Sequence, residues 1–336
     1  MSSPAARFRQ APKLYKRAKS PSYYNDYVLY HNCQVKADLI ATNDKYKNYF
    51  SYHCSQVKAD IHTMKNKFIS TQSNEILSYF NQMSQDCFDY SEAVKALPNS
   101  SESALKELLS DMVKRGLLMR LKKGLYYIIP YEQEADTFMP DWHLLAEHLT
   151  KGTEHYIGYY SALQIHNLIT QPSIKEQIVV AKQLRPSSLK IKDVKFQFIY
   201  HNEDHFFGSK KIWIDSFNKV LCSDLEKTFI DCLFKPDYAG GIVEVARAIY
   251  TTKDKIKFDK LLEYTQRFKS QAVIKRLGFL LETLEIESGI TRKLQKAKTA
   301  SYVLLDTELP KSGKMISRWS IQQNLETETI KSAIYT

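Results

Sequence analysis

Residues 89–130, DYSEAVKALPNSSESALKELLSDMVKRGLLMRLKKGLYYIIP, restrict the possible folds more than any other stretch of the chain. Asn99 followed three residues later by Glu102 gives a capping-box-like helix start, with Asn in the place of Ser or Thr. Leu105, Leu108, Leu109, Met112 and Val113 recur at three- and four-residue spacing, so one face of that helix is apolar. Lys114 and Arg115 fall in its last turn, where they complement the helix dipole. Gly116 follows as the expected terminator. A hairpin succeeds without a linker: Leu117, Leu118 and Met119 are apolar, Arg120, Lys122 and Lys123 are basic, and Gly124 supplies the turn. Five basic residues and no acidic one lie between Lys114 and Lys123. Helix, terminator, basic hairpin and aromatic exit, in this order, form the second half of a winged helix-turn-helix. In that motif the early, polar side of the helix (Ser100, Ser101, Ser103, Lys106) faces base edges and phosphates, while Arg120, Lys122 and Lys123 grip the DNA backbone. The plainer alternative is a surface hairpin that is basic by chance.

Upstream, a first helix is expected over 72–84, with Ile76, Leu77, Phe80 and Met83 on one face. A short second helix over 90–97 is closed by Pro98, and Cys87 and Phe88 fall in the turn between the two. The core of this unit would hold Ile76, Leu77, Phe80, Val94, Leu97, Leu105, Leu108, Leu109, Leu117 and Tyr126. Residues 131–138 are acidic and polar and read as a linker. Beyond them, helices are expected over 142–149 and 158–168. Strands follow over 176–181, 194–201 and 211–215, with an edge-like one over 219–224. Helices then dominate, over 225–233, 240–251, 256–268 and 271–288, before a last strand near 302–305. The fold class is α+β: an N-terminal winged helix-turn-helix over 64–130, then a mixed α/β domain over 139–336 with a helical C-terminal half.

The net charge of +11 suggests a polyanionic partner, but its distribution weakens the inference. Residues 1–63 hold ten Lys and Arg against four Asp, a net of +6, which leaves only +5 for the other 273 residues. That first segment also repeats itself, YHNCQVKADL at 30–39 returning as YHCSQVKADI at 52–61. It reads as a poorly ordered extension. Either it lies upstream of a true start at Met64, or it is a basic arm that adds non-specific DNA affinity. The five cysteines, Cys33, Cys54, Cys87, Cys222 and Cys232, are odd in number and form no CxxC pair, which points to free thiols and a cytoplasmic protein. With no run of eighteen apolar residues, no membrane span is expected.

Candidate chemistry is sparse. His143 and His148 lie five apart, and His201 and His205 frame HNEDH, but neither spacing matches a helix-face metal motif. Residues 201–205 read as a polar hairpin tip. Cys222 and Cys232 read as core thiols, and Asp224 and Glu226 as partners for the orphan amides of a helix start. No nucleophile elbow, phosphate loop or dinucleotide fingerprint occurs, so no catalytic residue, cofactor or metal is assigned. Two further basic stretches stand out: Lys182, Arg185, Lys190, Lys192 and Lys195, then Arg267, Lys269, Lys275, Arg276, Arg292, Lys293, Lys296 and Lys298. They are solvated faces or a second anionic contact.

Four stretches, LLSDMVKRGLLMRLKKGLYYI at 108–128, GYYSALQIHNL at 158–168, DLEKTFIDCLFKPDYAGGIVEVARAI at 224–249 and AVIKRLGFLLE at 272–282, resemble the AbiEi family of antitoxins from bacterial abortive-infection systems. The likeness runs from about residue 69 to 330 and leaves residues 1–63 outside. It implies a non-enzymatic antitoxin and transcriptional autorepressor of a phage-defence toxin–antitoxin operon. The winged helix would bind inverted repeats in the operon's own double-stranded promoter. The C-terminal domain would counter a co-transcribed nucleotidyltransferase-like toxin, without a stable complex being required. Asp224, Lys227, Asp231 and Tyr238 would belong to the antitoxin domain's signature, with no chemical role attached. The competing readings are a winged-helix transcription factor whose C-terminal domain senses a ligand, and a nucleic-acid-processing enzyme.

Overall fold

The computed structural model describes residues 67–169 and 171–335; the basic segment 1–63, with its repeat, lies outside them. The first unit comprises α1 (Thr71–Gln82), β1 (Cys87–Asp89), α2 (Tyr90–Ala96), α3 (Glu102–Lys114), β2 (Leu118–Lys122) and β3 (Leu125–Ile128). Each helix begins on a side-chain cap that replaces a missing backbone partner. Ser70 accepts from Ser73 N, Asp89 and Glu92 form a reciprocal capping box, and Ser101 accepts from Ala104 N. Helix α3 therefore starts two residues later than the Asn99 pattern suggests, because the turn closed by Ser100 N on Leu97 O comes first. It ends in a Schellman motif, Gly116 N bonding Val113 O and Leu117 N bonding Met112 O, with Gly116 at φ +74°.

The three strands form an antiparallel sheet in the order β1-β3-β2. Cys87 and Phe88 are strand residues, not turn residues. Three residues are too few for alternation to show in sequence. Ile76, Phe80, Phe88, Leu105, Leu109 and Met112 fill the core, with the Phe80 and Phe88 rings stacked at 4.1 Å. Val94, expected there, is 41% exposed, and α2 buries Ala93 instead.

The second unit opens with α4 (Trp142–Leu149) and a six-stranded mixed sheet in the order β6-β7-β5-β4-β9-β8. Its strands are β4 (His155–Ile157), β5 (Lys175–Val180), β6 (Ser188–Ile191), β7 (Val194–Tyr200), β8 (Ser209–Trp213) and β9 (Lys219–Ser223), with α5 (Tyr159–Ile165) following β4. Short β4 and β6 went unanticipated. The edge-like β9 is interior, parallel to β4 and antiparallel to β8, so β8 forms one edge of the sheet and β6 the other. A helical layer follows: α6 (Leu225–Phe234), α7 (Gly241–Thr251), α8 (Phe258–Phe268), α9 (Gln271–Thr283) and α10 (Thr291–Ala297). A small sheet of β10 (Val303–Leu304), β12 (Ile321–Gln323) and β11 (Lys314–Ile316) precedes α11 (Thr327–Ser332).

Part of the basic charge is used internally. Arg276 is buried and donates to the carbonyls of Leu233, Phe234 and Leu304, and Lys275 reaches Thr299 and Ser301. Burial pulls the Arg276 guanidinium down to about 10. These two are therefore not on a solvated helix face. The 131–138 segment is pinned from both sides: Lys67 Nζ donates to Pro130, Tyr131 and Gln133 carbonyls, and Lys192 Nζ to those of Ala135, Asp136 and Phe138. Beside it, Met119, Leu121, Leu125 and Ile129 share one core with Leu145, Ala146 and Leu149 of α4. The hairpin is thus covered on one face by the second unit.

Candidate nucleic-acid interface

Residues of β2 and β3 alternate between two destinations. Leu118, Tyr126 and Ile128 pack toward α1 and α3, while Met119, Leu121 and Leu125 pack toward α4. Strict alternation would set Lys122 beside Arg120. A β-bulge intervenes: Arg120 pairs with Tyr126, but Lys122 pairs with Leu125. One inserted residue moves every later side chain to the opposite face. Lys122 consequently turns toward α4 and donates to the carbonyl of Leu149 at 2.8 Å, at the helix C-terminus where a cation is favoured. Burial lowers its pKa from the usual lysine value. From the loop after α4, Lys151 pairs with Asp89 at 2.7 Å and with Glu92 at 3.2 Å, both at the start of α2. Partial burial raises the Asp89 carboxyl, but hydrogen bonds from Lys151, Ser91 and the Glu92 amide outweigh it and hold the pKa at about 2.

Lys122 stays exposed overall despite its bond to Leu149 O, and Arg120 and Lys123, also exposed, lie on the other side. Together with Lys106 they line a cleft of about 660 Å³ between α3 and the hairpin, whose walls include Tyr90, Tyr126 and Glu102. Tyr90 N donates to Gly124 O at 2.9 Å, tying the turn to α2. Lys106 Nζ lies 5.7 Å over the Tyr90 ring and pairs with Glu102. Three cations against one carboxylate leave the cleft positive. Such a cleft suits an anionic strand wide enough to touch helix and hairpin together.

The serines divide by role. Ser101 Oγ is occupied as the α3 cap, accepting from Ala104 N at 3.2 Å and lying 3.2 Å from Ser103 Oγ. Ser103 is exposed and Ser100 half-buried. Ser101→Ala is expected to cost about 1 kcal/mol of stability through loss of the cap. Ser103→Ala should stay within about 0.5 kcal/mol. Urea unfolding of both variants measures this, and equal losses would contradict the assignment.

The second-unit residues singled out in sequence meet at α6. Asp224 caps it, accepting from Lys227 N at 2.9 Å, and its other oxygen takes Lys260 at 2.9 Å and Tyr264 OH at 3.0 Å. Lys227 and Asp231, one turn apart, are fully buried and ion-paired. Tyr156 OH accepts from Lys227 at 2.9 Å and donates to Asp231 at 3.0 Å. His201 Nδ1 lies 3.3 Å from that hydroxyl, and its Nε2 lies 2.7 Å from Tyr159 OH. Tyr156, Phe207 and Phe268 surround the Lys227 ammonium, their ring centroids 5.3, 5.1 and 5.0 Å away. Tyr238 meets Tyr159 edge-on at 5.3 Å. Burial pushes Lys227 down and Asp231 up, and burial together with the Lys227 charge drives His201 to about 2. His201 is thus an interior residue and His205 stacks on Phe268 at 3.7 Å, while Asn202, Glu203 and Asp204 between them are exposed on a connection that is not a hairpin, since its two strands are not sheet neighbours. Sequence reasoning missed Tyr156 and Tyr159, and read His201 as part of a surface turn. The three come from β4, the first position of α5 and the residue after β7, with no common spacing. Tyr159 alone carried a local oddity, φ +54° directly after Gly158, which no pattern reveals.

Fold and site together define a mixed α+β protein in which a small unit with a basic cleft is docked on a larger sheet-and-helix body. Residues 75–129, from α1 to the end of the hairpin, match the family model described as the AbiEi antitoxin, a transcriptional regulator. Three chains of solved structures are similar. One is the Rv2827c protein from Mycobacterium tuberculosis, at TM-score 0.60 and 12% identity over 80% of this chain and 96% of that one. At this identity the likeness is one of fold. No curated protein matches the chain. Among the described residues, no helix is long and apolar enough to cross a membrane.

Proposed function

We propose that the chain is an AbiEi-type antitoxin and DNA-binding autorepressor, with a winged helix-turn-helix over 64–130 and an antitoxin domain over 139–336, working in the cytoplasm on a phage-defence operon. The observation that carries this reading is the convergence of Lys106, Arg120 and Lys123 on one cleft, within the segment that matches the regulator family. α3 would enter the major groove while the phosphate strand passes between it and the hairpin. The second unit would counter a co-transcribed nucleotidyltransferase-like toxin by binding or competition and not by chemistry. Its densest titratable cluster, around Lys227 and Asp231, is sealed from solvent, so a substrate has no path to it. Co-expression with the neighbouring gene tests the antitoxin part, and residues 64–336 are expected to rescue growth. Anisotropy with the upstream promoter tests the repressor part, where binding should tighten relative to random duplex. A harmless neighbour, or toxicity without rescue, would leave only a DNA-binding regulator.

A further inference from the structure

The β8–β9 hairpin lies at one edge of the six-stranded sheet and carries an unusual tip. Phe217 is 88% exposed and Trp213 57% exposed. The tip is rigid. Asp215 accepts from Phe217 N at 2.6 Å, Asn218 N at 2.7 Å and Asn218 Nδ2 at 2.9 Å, closing an Asx turn. Those hydrogen bonds hold the Asp215 carboxyl below its ordinary range and occupy its oxygens. Phe217 is therefore exposed on a turn with a defined hydrogen-bonded geometry.

The flanks are cationic. Lys210, Lys211 and Lys219 are exposed, and Asp215 at the tip is the one acidic residue between 209 and 223. Trp213 pairs across the ladder with Lys219, whose ammonium sits 4.1 Å over the indole. Side chains two apart on a strand share a face, so Lys211, Trp213 and Lys219 lie on one face of the hairpin, whose tip carries Phe217.

We infer that this hairpin is a binding site for single-stranded nucleic acid, with an unpaired base stacked on Phe217 and flanking phosphates held by Lys211 and Lys219. Bare aromatic faces beside cations recognise any base by its π-face and any backbone by its charge. Duplex DNA fits less well, because its base faces are already stacked and opening a step costs a few kcal/mol. An anionic membrane fits less well too. Inserting one ring would drag Asp215, Ser216 and Asn218 into the interface with it. The site is separate from the cleft at α3, so either can fail without the other.

The test uses the full chain and a fluorescein-labelled oligothymidylate in anisotropy, with a blunt duplex and phosphatidylserine vesicles in parallel. Phe217→Ala is expected to weaken strand binding about tenfold and leave duplex affinity unchanged, with Phe217→Trp restoring it. Lys211→Ala combined with Lys219→Ala should lower the salt slope for the strand by about 1.4. Because these side chains are exposed, the fold is not at stake. Strand affinity that is absent in the unaltered protein, or indifferent to Phe217, overturns the proposal. Equal losses on strand and duplex, or vesicle binding that depends on Phe217, overturn it as well.

Discussion

Asp231→Ala is expected to destabilise the protein by about 3–5 kcal/mol, the usual result of removing one partner from a buried ion pair. Lys227 would be left inside the Tyr156, Phe207 and Phe268 rings with its counter-charge gone, and the Tyr156 hydroxyl would lose its acceptor. Shedding the proton is its relief, and that relief is itself unfavourable at neutral pH. The double change Lys227→Met with Asp231→Leu should recover much of the loss, since an apolar pair of similar volume suits a dry site. Denaturant titration of the three proteins measures the difference. A single variant as stable as the parent would mean that water already enters the site. Toxin rescue should follow stability across the series. Lost rescue at unchanged stability would instead show a role for Asp231 beyond holding the fold.

The second large effect concerns DNA. Arg120→Ala with Lys123→Ala is expected to weaken binding to operator and random duplex alike and to lower the salt slope by about two. Both side chains face the cleft and neither is committed to an internal acceptor among the described residues. Lys122→Ala should behave differently despite its place in the same basic run. Its ammonium is spent on Leu149 O, so the salt slope should hold while hairpin docking on α4 loosens by about 1 kcal/mol. Titrating anisotropy against salt for the two proteins separates them. A slope that falls with Lys122→Ala would show that the hairpin detaches from α4 on DNA.

Local order was legible. The apolar stripe of α3, its Gly116 terminator, the basic hairpin with Gly124 at its turn, and the longer strands and helices of the second unit follow from patterns contained within a few residues, whereas short elements such as β4, β6, β11 and β12 do not. The resemblance carried by residues 108–128 agrees with the family match over 75–129. Such features are legible because periodicity, capping and turn chemistry act between neighbours in sequence.

The positions of individual charges were not legible. Lys122 and Arg120 are two residues apart and equally basic in sequence, yet a bulge sends one to α4 and the other to the cleft. Lys275 and Arg276 read as a surface patch, yet they donate to carbonyls inside the helical layer. His201 reads as part of a polar tip, yet it closes a network with Tyr156, Tyr159 and Asp231 that draws on β4, α5, β7 and α6. What the amino-acid order determined by itself was where helices, turns and hairpins form. Which cations meet solvent and which polar groups meet each other was decided only when sheet register and domain docking brought distant segments together. The physical reason is that a buried charge must find its partner in space, and sequence distance does not measure that.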